Sequence, residues 1–287
     1  MCHFFYQPAN LSVGCLYFCG MKKIFPAVII TAVLISSCND NKDKVATKNS
    51  TTTLPAYTNY LTSQLKEHPD SAGLRFKLVN SLDSAGAYQQ ALTQVDSLLQ
   101  KDSLNNGLWF TKAQVLEHAR DTLAAIAAYK NTIAIYPSPQ ALLALTNLYA
   151  ETRNPKTLEL CQRINDLRMG REYDSYTAFF TGVYYEHTGN TKDALHWLDE
   201  SIRNNYTFID AYMEKGFVYY DTKQYDEALK TFNTAATINN TYADAYYWQG
   251  KTYEALQKKQ EAKEKYQQAL SLNKTLQEAA DGIKRLE

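Results

Sequence analysis

Glycine and proline are scarce in this chain, at 11 and 7 of 287 residues. A turn-rich β fold needs more of both, so their shortage favours long helices. Cysteine is nearly missing from the body of the chain. Cys2, Cys15, Cys19 and Cys38 all lie near the start, and only Cys161 lies beyond them. A disulfide framework needs pairs, so none is available there, and Cys161 reads as a small buried apolar side chain. An excess of one charge is also lacking, with 30 basic residues against 30 acidic. This balance argues against a general nucleic-acid binder, which carries a basic surplus. The apolar run from Ile24 to Ile35 is about a dozen residues, too short to cross a bilayer core of roughly 30 Å.

Catalytic signatures are wanting as well. His68, His118, His187 and His196 stand in no metal-ligand spacing with Cys, His or paired carboxylates. No phosphate-binding glycine loop, nucleophile elbow or cysteine–histidine signature occurs. The sequence predicts a protein that is not an enzyme and has no catalytic residue, metal site or cofactor.

What is present begins with a leader. Met21-Lys22-Lys23, the apolar run and Ser36-Ser37-Cys38 make a charged start, a short hydrophobic core and small residues before a processing point, the layout of a secretory signal. Ile35-Ser36-Ser37-Cys38 resembles a bacterial lipobox, which implies lipidation of Cys38 as the first mature residue and anchoring at the cell envelope. The alternative is ordinary secretion with a stray cysteine. Residues 1–20 would precede an already complete signal, so Met21 is read as the start and 1–20 as a spurious extension. Residues 38–55 are polar and charged, which predicts a flexible tether between the anchor and a folded region at 56–287.

The folded region is periodic. Gly182, Gly216 and Gly250 recur every 34 residues, as do Tyr185, Tyr219 and Tyr253, and Ala194, Ala228 and Ala262. Ser201, Ala235 and Ala269 keep the same period. A repeat of that length marks stacked supersecondary units. Small residues let two antiparallel helices approach, and large aromatics fill the space beside them.

Tyr212-x2-Lys215-Gly216-x2-Tyr219 with Ala228-x3-Phe232, and Tyr246-x2-Gln249-Gly250-x2-Tyr253 with Ala262-x3-Tyr266, resemble the tetratricopeptide repeat. Trp109-x2-Lys112-Ala113, Ala125-x3-Tyr129 and Pro137 form another copy. The resemblance implies an all-α fold, a right-handed α-solenoid of about six helix pairs. The units fall at about 72–105, 106–138, 139–174, 175–208, 209–242 and 243–276, with capping helices at 56–68 and 276–287. The third unit carries about two extra residues near Met169-Gly170-Arg171, which predicts a longer loop there.

In this family the first helix of each pair lines the surface that binds partners. Carried over, that places Phe76, Phe110, Leu143, Phe179, Met213 and Tyr247 in one row. Asn80, Gln114, Asn147, Val183, Phe217 and Lys251 form a second row. Any single ring serves either the groove or the packing between helices. Rings and amides together suit a protein or peptide ligand. A third row is acidic: Asp83, Glu117, Glu151, Glu186, Asp221 and Glu254. Carboxylates at helix C-termini oppose the macrodipole, so they either face a basic or hydroxyl-rich partner or are solvated turn residues. The reading is a membrane-anchored, non-catalytic adaptor at the bacterial cell envelope, binding protein or peptide and no nucleic acid. Its alternatives are an assembly factor, pilotin-like or accessory to outer-membrane assembly, and a carbohydrate-binding or uptake component.

Overall fold

A computed structural model describes residues 54–287, and the leader, Cys38 and the tether up to Thr53 lie outside the described residues. The described residues are all-α. A lone helix, α1 (Ala56–Glu67), precedes six pairs: α2 (Ala72–Ser84) with α3 (Tyr88–Lys101), α4 (Asn106–His118) with α5 (Thr122–Ile135), and α6 (Pro139–Glu151) with α7 (Lys156–Asp166). Then come α8 (Arg171–His187) with α9 (Thr191–Asn204), α10 (Ile209–Asp221) with α11 (Tyr225–Ile238), and α12 (Ala243–Ala255) with α13 (Lys259–Leu272). A last helix, α14 (Gln277–Leu286), packs on α13. Each helix contacts its neighbours in the chain, and first helices also touch first helices, as α6 with α8 and α8 with α10. This is a solenoid, in which each unit is held by its neighbours. Among the described residues, no helix is long and apolar enough to cross a membrane.

The turn within each pair is built the same way six times. The first helix closes with an N–H reaching back five residues, as in Ala87 to Leu82, Asp121 to Leu116 and Asn154 to Tyr149, and again in Asn190 to Tyr185, Gln224 to Tyr219 and Lys258 to Tyr253. That bond needs a left-handed residue just before the donor. Gly86 and Gly189 supply it without steric cost, whereas Arg120, Arg153, Lys223 and Gln257 adopt φ near +60° at the equivalent positions. Between pairs, polar side chains start the next helix. Ser71, Asn105 and Ser138 accept from the backbone N–H three residues on, satisfying a donor the helix leaves open.

The small residues of the repeat sit where two helices nearly touch. A methyl group built on Gly182 would lie 2.8 Å from Leu198 Cγ, and one on Gly250 would lie 2.6 Å from Tyr266 Cδ1. Gly216 meets the ring of Phe232 in the same manner. Tyr266 is clamped from both sides, because Gly282 of α14 also approaches its ring to 2.6 Å by the same measure. Opposite the glycines, Leu198, Phe232 and Tyr266 are wholly buried. Cys161 is also buried, its thiol facing the Thr177 carbonyl at 3.4 Å, and burial pushes its pKa up to about 11.

The extra residues of the third unit do not lengthen a loop. The segment 167–170 is as short as 102–105 and 205–208. Instead α8 runs for 17 residues, where α2, α4, α6, α10 and α12 each have 13. The added turn, 171–174, is tied to α9 through Arg171, and the residue just after it, Ser175, is tied to α9 as well. Ser175 Oγ donates to the Ser201 carbonyl at 3.0 Å, Ser201 Oγ donates to the Ser175 carbonyl at 2.9 Å, and Arg171 donates to the Arg203 carbonyl.

Gly250→Ala should destabilise the chain despite the better helix propensity of alanine. Overpacking a rigid ring costs about 1–3 kcal/mol against a propensity gain of about 1 kcal/mol. Gly73→Ala, where nothing lies within 4 Å of the added methyl, should be neutral or stabilising by up to about 1 kcal/mol. Urea midpoints of the two variants would separate a packing role for Gly250 from mere tolerance of glycine.

Candidate functional site

The first helices stack in register, so equivalent residues form columns one repeat apart. The first row of residues divides in two. Phe76 is 37 % exposed, Phe110 is half-buried edge-on to Tyr129, and Tyr247 is half-buried beside Tyr266 and Trp248. Leu143, Phe179 and Met213 are buried, the last two at 5 % and 2 % exposure. Phe179 packs edge-on against Phe180 and Phe208. These rings and chains serve the contact between successive repeats in the middle of the array.

The second row shows the same division. Val183 is buried, and Phe217 leans on Trp248 at 4.6 Å between ring centres. At the N-terminal end the row is polar. Asn80 and Gln114 are exposed and Asn147 is half-buried, and no described residue hydrogen-bonds their side-chain amides. Three free amides in consecutive repeats, α2, α4 and α6, present donors and acceptors at one-repeat intervals. A primary amide offers both a C=O and an NH2, the complement of a peptide group.

The acidic row is largely spoken for. Asp83 contacts Nδ1 of His118, one repeat on, at 2.8 Å. Glu151 lies 3.3 Å from Nε2 of His187, and Glu186 lies 3.2 Å from its Nδ1. Glu254 pairs with Arg285 of α14 at 3.0 Å. Two acids are also held within their own repeat, because Tyr129 donates to Glu117 at 2.7 Å and Tyr266 donates to Glu254. Burial raises the Glu117 pKa, opposed by the Tyr129 bond. Burial pushes Glu254 upward too, but Arg285 and Tyr266 together outweigh it and the net shift is downward. Asp221 is exposed at the end of α10. The row is thus a set of ties between helices. Sequence reasoning missed the partners because they sit on a second helix or in the next repeat.

An open cleft of about 350 Å³ lies elsewhere, between α3, α4 and α5. There α4 presents Trp109, Lys112 and Leu116, a different face from Phe110, Gln114 and Glu117. Lys112 is engaged with Asp96 at 2.7 Å and lies over the Trp109 ring. Among the described residues, no group of three or more His, Cys, Asp or Glu side chains is placed to hold a metal ion.

Tyr129→Phe should cost about 2 kcal/mol, the value of a hydrogen bond to a charged group, because it strips a half-buried carboxylate of its donor. Tyr266→Phe should cost less, since Arg285 still reaches Glu254. Equal losses in denaturant unfolding would contradict this assignment of the acid partners.

Sequence models of the tetratricopeptide repeat match residues 76–138, 216–257 and 243–276. Among curated proteins none matches the sequence. A tetratricopeptide repeat protein from Parabacteroides merdae has a similar structure, with TM-score 0.67, 16% identity and cover of 80% of this chain and 90% of that one. PilW, described as a widely conserved type IV pilus biogenesis factor, aligns with TM-score 0.58 and 16% identity over 74% of this chain and 98% of its own. A chain of the APC/C hetero-tetramer Cut9–Hcn1 aligns with TM-score 0.57 and 16% identity, over 80% of this chain and 46% of that one. At these identities the likeness is one of fold. Tetratricopeptide repeats are thus present at 76–138 and 216–276, and the helix pairs between them stack in the same way.

Proposed function

We propose that this chain is a non-catalytic adaptor, lipid-anchored through Cys38 at the bacterial cell envelope, that binds an extended protein or peptide segment along its first helices. The observation that carries the reading is the column of free amides, Asn80, Gln114 and Asn147. With Phe76 exposed beside it and Phe110 half-buried, the column pairs hydrogen bonding to a backbone with apolar contact for side chains. Repeats one to three are therefore the docking end. In the middle of the array the equivalent side chains are consumed by packing, and Phe179 and Met213 support the surface from beneath. Glu117, Glu186 and Asp221 border it and set its charge. Phe217 and Tyr247 extend it toward the C-terminal repeats, their faces shared with Trp248.

The anchor reading rests on the leader and on Ile35-Ser36-Ser37-Cys38. An assembly factor that holds an envelope component during its insertion is a narrower form of the same adaptor. A sugar-binding role would need an exposed aromatic shelf, and the half-buried packing of Phe217 and Tyr247 gives it no support.

Two measurements test the two parts separately. A photo-crosslinking side chain at Gln114 should capture a partner in native membranes, and the same group at Leu123, which is 80 % exposed on α5, should not. Replacing Asn80, Gln114 and Asn147 together by Ala should reduce capture at least about tenfold, at roughly 1 kcal/mol per lost hydrogen bond, with the thermal midpoint unchanged. Full capture by the triple variant would end the groove assignment. Independently, Cys38→Ser should release the protein from the membrane fraction, and retention there would end the anchor assignment.

A further inference from the structure

Three consecutive first helices bring titratable groups together around one imidazole. His187 closes α8, with Nδ1 3.2 Å from Glu186 of the same helix and Nε2 3.3 Å from Glu151 at the end of α6. From the next repeat, α10 adds Glu214, whose charge acts on His187, Glu186 and Glu151 alike. Asp221, also of α10, adds its charge to Glu214. The charges acting on the ring thus come from α6, α8 and α10, and none of them comes from α7 or α9. Glu214 accepts no hydrogen bond from any described residue and is only partly exposed. The ring therefore bridges the third and fourth repeats, where α6 touches α8, and the fifth adds its charge from α10, which touches α8 in turn.

We propose that His187, Glu151, Glu186 and Glu214 form a proton-operated clasp, which ties the third, fourth and fifth repeats together when His187 and Glu214 are protonated and loosens them when both protons leave. With both protons present, one imidazolium faces the two carboxylates of Glu151 and Glu186 while Glu214 is neutral. With both gone, Glu151 and Glu186 flank an uncharged ring with the negative charge of Glu214 added from α10, and the attraction that joined α6 to α8 has become repulsion. Like charges in a partly buried setting repel more strongly than in water.

The protonation equilibria agree with this geometry. The Glu151 hydrogen bond raises the His187 pKa, against burial, and Glu186 and Glu214 add to the rise. Burial pushes Glu214 up to about 8, with Glu186 and Glu151 reinforcing it. Both folded-state values exceed those of the unfolded chain, so the folded chain holds more protons between them. Stability is then greatest below the unfolded values, near 6.5 for histidine and 4.3 for glutamate, and is lost as pH rises through the folded ones. Both groups act in the same direction, across roughly pH 5 to 8.5.

Thermal unfolding and hydrogen exchange of the full chain at pH 6 and pH 8.5 test the clasp. The wild-type midpoint should fall by about 5 °C or more between the two, as a few kcal/mol would produce in a chain of this size. After correction for intrinsic rates, exchange should quicken at pH 8.5 in α6, α8 and α10 while α12 and α13 hold steady. Glu214→Gln should abolish most of the fall in midpoint. Glu151→Gln, which keeps an acceptor beside the ring but removes a charge, should narrow the difference as well and serves if the first variant folds poorly. A wild-type midpoint unchanged by pH, variants that track the wild type, or exchange that quickens uniformly along the chain would each overturn the proposal.

Discussion

The close crossing of the two helices in each pair is the constraint on which the rest of the molecule depends. At Gly182, Gly216 and Gly250 the first helix has no side chain, and Leu198, Phe232 and Tyr266 of the second fill the vacated space. That contact buries a large apolar side chain completely in every one of these units, which is the main source of stability available to so thin an array. It also fixes the distance and rotation between the two helices. Once these are fixed, the remaining faces of each first helix must point either to the next repeat or to solvent. The exposed surface of the first helices is what is left after packing has taken its share.

A second system of contacts, polar this time, runs along the ends of the first helices. Asp83 with His118, Glu151 with His187 and Glu254 with Arg285 each join one repeat to the next. Such ties, partly solvated, add little net stability singly. Their effect is on register: a carboxylate that has lost some hydration is satisfied in one relative placement of its neighbours and not in others. Tyr129 and Tyr266 lock two of the acids from below. Apolar packing holds each pair together, and the charged groups specify how pairs follow one another.

Which of these systems could be read from the sequence follows from their range. The glycine slots and the large side chains opposite them lie 16 residues apart in Gly182 and Leu198, Gly216 and Phe232, Gly250 and Tyr266, and a regular spacing within one helical pair shows in a single chain. The spacing of Asn80, Gln114 and Asn147 was legible for the same reason, whereas the lack of a partner for their amides was not. Burial of Phe179 and Met213 was not, because it depends on how closely α8 and α10 approach, which no local pattern encodes. The acids hid their partners likewise, since Asp83 and His118 meet only after two pairs have stacked. The added turn of α8 escaped for a further reason. A loop and a helical extension have the same length in sequence, and the contact that Arg171 of the added turn makes, with the Arg203 carbonyl, lies on another helix.

That longer helix also marks a seam in the array. Beyond it, the fourth, fifth and sixth units keep a strict 34-residue period with glycine in each slot, at Gly182, Gly216 and Gly250. Before it, Val79, Ala113 and Thr146 occupy the corresponding places, and the wider side chains demand slightly different partners. The three later units therefore cross with no side chain in the slot, and the earlier three cross with one. At the seam Arg171, in the first turn of α8, holds α9 through the Arg203 carbonyl, so a unit taken from one side and set on the other would meet a crossing built for a different side chain.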